Sequence, residues 1–269
     1  MANKSELTKP KNTAVATASF EEYGNAGFSE VKAEDLAIPF LRILDTKSPQ
    51  AMERSPDHIE GVKPGMFFNN VLKEGYDGIR GVDVIACHYN RRYNEWVPRD
   101  LGGGFKGSYL PTDPIVSTVK PHPDPNIYQE LLPNGNILAN TAQFFSLMLH
   151  EELGPQRVLI PMASSQLKKS RSWLSNAQAF TGKKSDGSIY TMPLMSQVWT
   201  LTSVQEKNAR GDWFGFSIKR KRQLDLDNAT DLSLFETAVS FALSVKAGDI
   251  TAQEKSANVT EPMDDEIPF

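Results

Sequence analysis

Cysteine is almost missing from this 269-residue chain: Cys87 stands alone. A single thiol excludes an intramolecular disulfide and a Cys-rich zinc site. Histidine is scarce as well, with four in all. There is no apolar run of about 18 residues, the length a membrane-crossing helix needs. The opening residues Met1–Ser5 lead into polar sequence rather than an apolar leader segment, so no secretory signal is expected and the cytoplasm is the expected compartment. The content of 39% hydrophobic and 9% aromatic residues is too apolar for a chain disordered throughout. It suffices for one large domain or two small ones.

A net charge of −4 excludes a uniformly basic polyanion binder but not a charge-segregated one. The charge is segregated. From Asp249 to Phe269 six acids face one base, Lys255, for a net −5, so the remainder is close to neutral at +1. Within that remainder Thr141–Arg222 holds 12 Lys/Arg and 5 Asp/Glu, a net +7. An acidic tail on a basic body can fold over a cationic groove and compete with a polyanion for it.

Residues 1–19 are polar and read as a mobile arm, 20–248 as the folded domain and 249–269 as a disordered acidic tail. Between Phe20 and Leu44 the apolar residues are broken by Pro39, which predicts short irregular pieces, followed by a loop over Ser48–Gly61. Alternation predicts a strand over Val82–Arg92, with Val82, Val84, Ala86 and His88 on one side, and Asn94–Val97 as its hairpin return. Pro98–Gly135, with seven prolines and five glycines, reads as a long loop without regular structure. Strands are predicted over Ile137–His150 and Gln156–Met162, joined by a turn containing Gly154-Pro155. Ser164 or Ser165 caps a helix to about Phe180, ended by Gly182, with Leu167, Trp173, Leu174, Ala177 and Phe180 as its apolar side. A hairpin of Gln197–Gln205 and Asp212–Arg220 follows. A last helix, capped by Asn228 or Thr230, runs to Ala247 with Leu232, Phe235, Ala238, Val239, Ala242 and Val245 buried, and Gly248 closes it. Five strands with a helix between the third and fourth predict a mainly β fold with helices (α+β). The expected form is an OB-like five-stranded barrel with a long loop insertion, an N-terminal extension and a C-terminal helix.

Enzyme signatures are weak. Gly102–Ser108 has the letters of a phosphate loop without its Gly-Lys-Ser/Thr close. His150-Glu151-Glu152 lacks the second histidine of a metalloprotease helix. Cys87 and His88 are neighbours on a strand and point to opposite faces. No enzyme, cofactor or metal is expected, although a carboxylate nuclease site assembled only in space leaves no sequence signature.

Three clusters combine cations with aromatic rings, the two ingredients of sequence-tolerant single-strand binding. Arg91, Arg92, Tyr93, Trp96 and Arg99 run into Phe105, Lys106 and Tyr109. Lys168, Lys169 and Arg171, with Trp173 close by, lie on the first helix. Trp213 precedes Lys219, Arg220, Lys221 and Arg222 on the last strand, where Phe214, Phe216 and Ile218 share the core side and Trp213, Ser217 and Lys219 the other. Each cluster is also readable as a solvated face, the helix cluster Lys168–Arg171 more readily than the other two, and Trp173 and Trp199 fit a core better than a binding surface.

The segment Met263–Phe269 joins an acidic run to a rigid Ile267-Pro268 step and Phe269, a compact docking peptide of ring and carboxylates. Asp264, Asp265, Glu266, Ile267, Pro268 and Phe269 resemble the C-terminal tip of bacterial and bacteriophage single-stranded DNA-binding proteins. The resemblance covers six or seven residues. It implies an OB-fold body that coats and protects single-stranded DNA in replication, recombination and repair. It also implies a tip that recruits polymerases, helicases or nucleases, and a setting in a bacterial or host cytoplasm. The chain departs from the bacterial pattern, having no long Gly/Gln/Pro-rich linker and a body about twice the usual length, and looks closer to a bacteriophage protein. A tetramer therefore does not carry over, and a homo-oligomer of another size stays open. Two alternatives remain beside it: a metal-dependent nuclease that uses the tail for recruitment, and a strand-annealing protein.

Overall fold

The computed structural model describes residue 23 and residues 26–31, 37–124, 127–208 and 211–248. The calls on 1–19 and 249–269, and with them the docking tip, lie outside the described residues. The chain divides into two units, Met1–Leu36 and Ala37–Phe269. In the first, backbone turns join Ala26 N–H to the Tyr23 carbonyl and Val31 N–H to that of Phe28.

The second unit is mainly β with two helices. In chain order its elements are β1 (Leu41–Ile43), β2 (Phe67–Asn69), β3 (Glu74–Tyr76), β4 (Val82–Trp96), β5 (Phe105–Tyr109), β6 (Lys120–Pro121) and β7 (Glu130–Leu131). After these come β8 (Ile137–His150), β9 (Gly154–Ala163), α1 (Gln166–Gln178), β10 (Thr181–Lys183), β11 (Ile189–Thr191), β12 (Gln197–Asn208), β13 (Gly211–Gln223) and α2 (Ala229–Ala247). The main sheet runs β13-β12-β4-β8-β7-β6, with β9 on β8 and β5 on β4. Its long strands are antiparallel neighbours throughout. The sheet curls into a half-barrel. The small sheet β1-β2-β3 lies across it: Phe40 bridges Leu159 of β9, and the Phe67 ring meets Phe216 of β13 at 5.9 Å.

Strand alternation gives the sheet two apolar faces, and each has a cover. The inner face carries Val84, Ala86, Phe144, Ile160, Trp199, Leu201 and Phe216, packed with Leu41, Phe67 and the α1 residues Trp173 and Ala177. The outer face carries Ile85, Cys87, Phe145, Leu147 and Leu159, covered by Ala238, Phe241 and Val245 of α2. Gln166 fastens α1 to the edge of β13. Its Oε1 accepts the Phe216 N–H at 3.0 Å and its Nε2 donates to Ser165 Oγ at 3.0 Å, so this buried amide uses both ends. α2 is capped by Asn228, which accepts from the N–H groups of Thr230 and Asp231, and ends in Gly248 at φ 86°. No helix among the described residues is long and apolar enough to cross a membrane.

Several expectations change. β4 does not return at Asn94; it runs unbroken to Trp96, and at that end it lies between β5 and β8. The Pro- and Gly-rich loop is not structureless: β5 lies in its longest proline-free stretch, and β6 and β7 form short rungs. The side chains of Ser164 and Ser165 do not cap α1, which starts on a backbone turn from Leu167 N–H to the Ser164 carbonyl at 3.0 Å. Gly182 lies inside β10 rather than ending the helix. On α2 the buried stripe is turned toward Phe241, leaving Leu232 39% exposed. Neither the β1-β2-β3 sheet nor the β10-β11 hairpin was expected from the sequence pattern.

Candidate nucleic-acid interface

β4 decides which side chains share a surface. Its register against β8 slips between Ala86 and His88, a bulge at Cys87. Beyond the bulge His88 pairs with Phe145 on the outer face, and Tyr89 with Phe144 on the inner. Uninterrupted alternation would put His88, Asn90 and Arg92 on the Val84 side; the extra residue puts Tyr89, Arg91, Tyr93 and Glu95 there. Opposite them on β8 stand Phe144, Ala142, Asn140 and Leu138, and β5 brings Tyr109 beside Tyr93.

This row holds alternating aromatic and cationic groups: Tyr89, Arg91, Tyr93 and Tyr109, all half-buried, with Lys106 exposed nearby. Arg91 Nε and Asn140 Oδ1 are buried without a hydrogen-bond partner. Buried polar atoms are nearly always satisfied, and an orphan invites a missing partner such as water, an ion or a ligand. The Tyr109 hydroxyl donates to Glu95 Oε2 at 2.6 Å, and Glu95 Oε1 accepts from Asn134 and Asn136. Burial works to raise the Glu95 pKa. The three hydrogen bonds and the nearby Lys106 charge outweigh it and hold the carboxyl below its ordinary value. The Tyr109 phenol is raised, chiefly by its bond to Glu95. This cluster pins both ends of the long connection to β4, so the surface beside it is built from fixed parts.

The remaining expected residues separate into two groups. Trp96 is 2% exposed and packs on Phe105, ring centroids 5.3 Å apart, so it is core and not a stacking platform. Trp173 and Trp199 are core too. Lys169 is held by Glu206, which also accepts from Trp213 Nε1 at 2.9 Å. Lys221 pairs with Asp83 at 2.5 Å, and Arg222 makes a two-pronged pair with Asp231 at the start of α2. Those three cations neutralise the protein's own carboxylates. Arg91, Arg92, Lys106, Lys168, Arg171, Lys219 and Arg220 have no carboxylate partner among the described residues. Arg220 donates instead to the neutral Gln197 amide at 2.8 Å. Arg99 lies in a short 3-10 turn. The structure thus joins the second and third sequence clusters, Lys169 of α1 and Trp213 of β13 sharing Glu206, whereas the first lies on β4 and β5. Tyr89 and Asn140 belong to the row but were not among the expected residues: Tyr89 shares the face of Arg91 by plain alternation, and the bulge brings Asn140 opposite Tyr93.

The sequence model of the family described as Pam3 phage gp34-like protein matches residues 8–251. The chain belongs to that family. This places it among phage proteins and covers the whole described β unit. No match to a curated protein was found, and none to a solved structure.

Proposed function

We propose that this phage protein binds single-stranded DNA without strong sequence preference, through the β4–β5 face. The carrying observation is the Tyr89–Arg91–Tyr93 row with its unpartnered Arg91 Nε and the adjoining Tyr109 and Lys106. Rings stack on any base, and unneutralised cations track phosphates. The order of elements supports the same reading. β4, β8, β9, β12 and β13, with α1 between the third and fourth, follow the plan of an OB barrel, whose oligonucleotide contacts come from strands 2–3 and the loops after strands 1 and 4. Of these, the connection after the first strand carries β5, the partner of β4 in the proposed face. In this reading the acidic and apolar segment Asp264–Phe269 recruits partner enzymes and competes weakly for the cationic surface.

The test is a titration with fluorescent oligo-dT and with a matching duplex at low and moderate salt. Tight, salt-sensitive binding of the single strand with little for the duplex is the expected result. Equal affinity for both overturns it. Magnesium-dependent loss of the labelled strand would point to a nuclease, and duplex formation from complementary strands to annealing.

A further inference from the structure

The β10-β11 hairpin has no role in the core. Ile189 is 68% exposed and Tyr190 39%, and neither belongs to an apolar cluster. A two-stranded hairpin without a buried face is marginal in water, so this one is kept in shape by local devices. Lys184 N–H donates to the Ser188 carbonyl, and Gly187 N–H, at φ 82°, donates back to the Lys184 carbonyl, each at 2.9 Å. Asp186 accepts from the Ser188 N–H and Oγ at 2.8 and 2.6 Å. At the base Met192 N–H donates to the Phe180 carbonyl at 2.9 Å.

The register sorts its side chains. Gly182 faces Tyr190 and Lys183 faces Ile189. A Cβ on Gly182 would meet the Tyr190 ring at 2.6 Å, so the ring rests on bare backbone, and the residue stays 39% exposed. Alternation puts Lys184 on the Gly182–Tyr190 face. Neither Lys183 nor Lys184 has a carboxylate partner among the described residues, and the one acid in the turn, Asp186, is engaged by Ser188. The cationic surface continues at the base: the Arg220 guanidinium sits 4.6 Å from the centre of the Phe180 ring, its charge met only by the neutral Gln197 amide.

We infer that the β10-β11 hairpin is a second contact for single-stranded DNA, Tyr190 stacking on a base while Lys184 takes a neighbouring phosphate. This rests on the reading of the protein as a single-strand binder and extends it to an element apart from β4 and β5. A ring backed by glycine and flanked by a free ammonium supplies stacking and charge on one small face.

The experiment is fluorescence anisotropy of labelled oligo-dT across a salt series, with the full chain and the variants Tyr190→Ala, Tyr190→Phe and Lys184→Ala. Their melting temperatures should match the parent, since both side chains lie outside the core. Tyr190→Ala should weaken binding at least about fivefold with an unchanged salt slope, and Tyr190→Phe should restore it. Lys184→Ala should reduce the slope of log affinity against log salt by about 0.7. Parent-like affinity and slope in both alanine variants, with the parent still preferring the single strand, overturns the inference and leaves the binding function standing. Absence of that preference in the parent overturns both.

Discussion

Trp173 lies stacked on Phe144, ring centroids 4.2 Å apart and planes 20° apart. The pair joins α1 to the inner face of β8, and Trp199 meets the same indole edge-on at 6.1 Å. Deleting a fully buried aromatic removes its transfer energy and leaves a cavity. Trp173→Ala should therefore lower stability by about 3–5 kcal/mol in urea unfolding. Trp173→Phe keeps a stacked ring and should lose much less. Equal losses in the two variants would mean that a phenyl ring at this position recovers nothing and that the fit of the whole indole decides.

The indoles also determine what tryptophan emission reports. Trp96, Trp173 and Trp199 are buried, and only Trp213 is half-exposed. Any quenching by oligo-dT should vanish in Trp213→Phe and persist in Trp96→Phe. A signal that survives Trp213→Phe would reveal a rearrangement around a core indole.

How much of this was legible in the sequence follows from particular residues. The long strands and both helices announce themselves, because Val84–Cys87, Leu147–Leu149 and Val158–Ile160 are apolar runs between clear turn signals. Two-sided burial explains the unbroken runs: α1 covers one face and α2 the other. The bulge at Cys87 leaves no mark in composition, yet it reassigns every side chain from His88 to Glu95. The pairing of Lys169, Lys221 and Arg222 was hidden for another reason. Their partners Glu206, Asp83 and Asp231 lie 37, 138 and 9 residues away, on elements that meet only in the fold. Charge counts treated these cations as free when they are not. The β10-β11 hairpin was missed because its short strands hold no apolar alternation to betray them.

The Arg222–Asp231 pair ties the end of β13 to the first turn of α2, and Asp231 also accepts the Asp225 N–H at 2.9 Å. Its hydrogen bonds to Arg222 hold the Asp231 carboxyl below its ordinary value, against the opposing effect of burial. Asp231→Ala should cost about 2 kcal/mol, the usual worth of hydrogen bonds to a charged group, read by urea unfolding. Arg222→Ala should also destabilise while leaving the salt slope of oligo-dT binding unchanged. A drop in slope would show that Arg222 exchanges Asp231 for phosphate.

Glu95 supplies the pH test. Its folded-state pKa is depressed, so its contribution to stability is complete above the ordinary carboxylate value of 4.5 and drains away as the pH falls below it. Glu95→Gln should lower the melting temperature at neutral pH. The gap to the parent should narrow as the pH drops below 4.5. A gap constant across that range would assign the effect to packing of the amide rather than to the carboxylate charge.

Arg91 separates the proposed interface from ordinary surface charge. It stands between Tyr89 and Tyr93 on one face, with its Nε buried and unpartnered, whereas Lys169 is bound to Glu206. A cation already neutralised by the protein releases no counterion when DNA arrives. A free one contributes about 0.7 to the slope of log affinity against log salt for a single strand. Arg91→Ala should therefore lose that increment and bind oligo-dT more weakly at every salt concentration. Lys169→Ala should keep the parent slope, even though it removes the same formal charge. If both variants lose the increment equally, the binding follows overall charge and the β4–β5 face has no special part in it. If only Arg91→Ala loses it, the position of the cation decides, and the bulge at Cys87 that turns the Tyr89–Arg91–Tyr93 row onto the inner face belongs to the binding function.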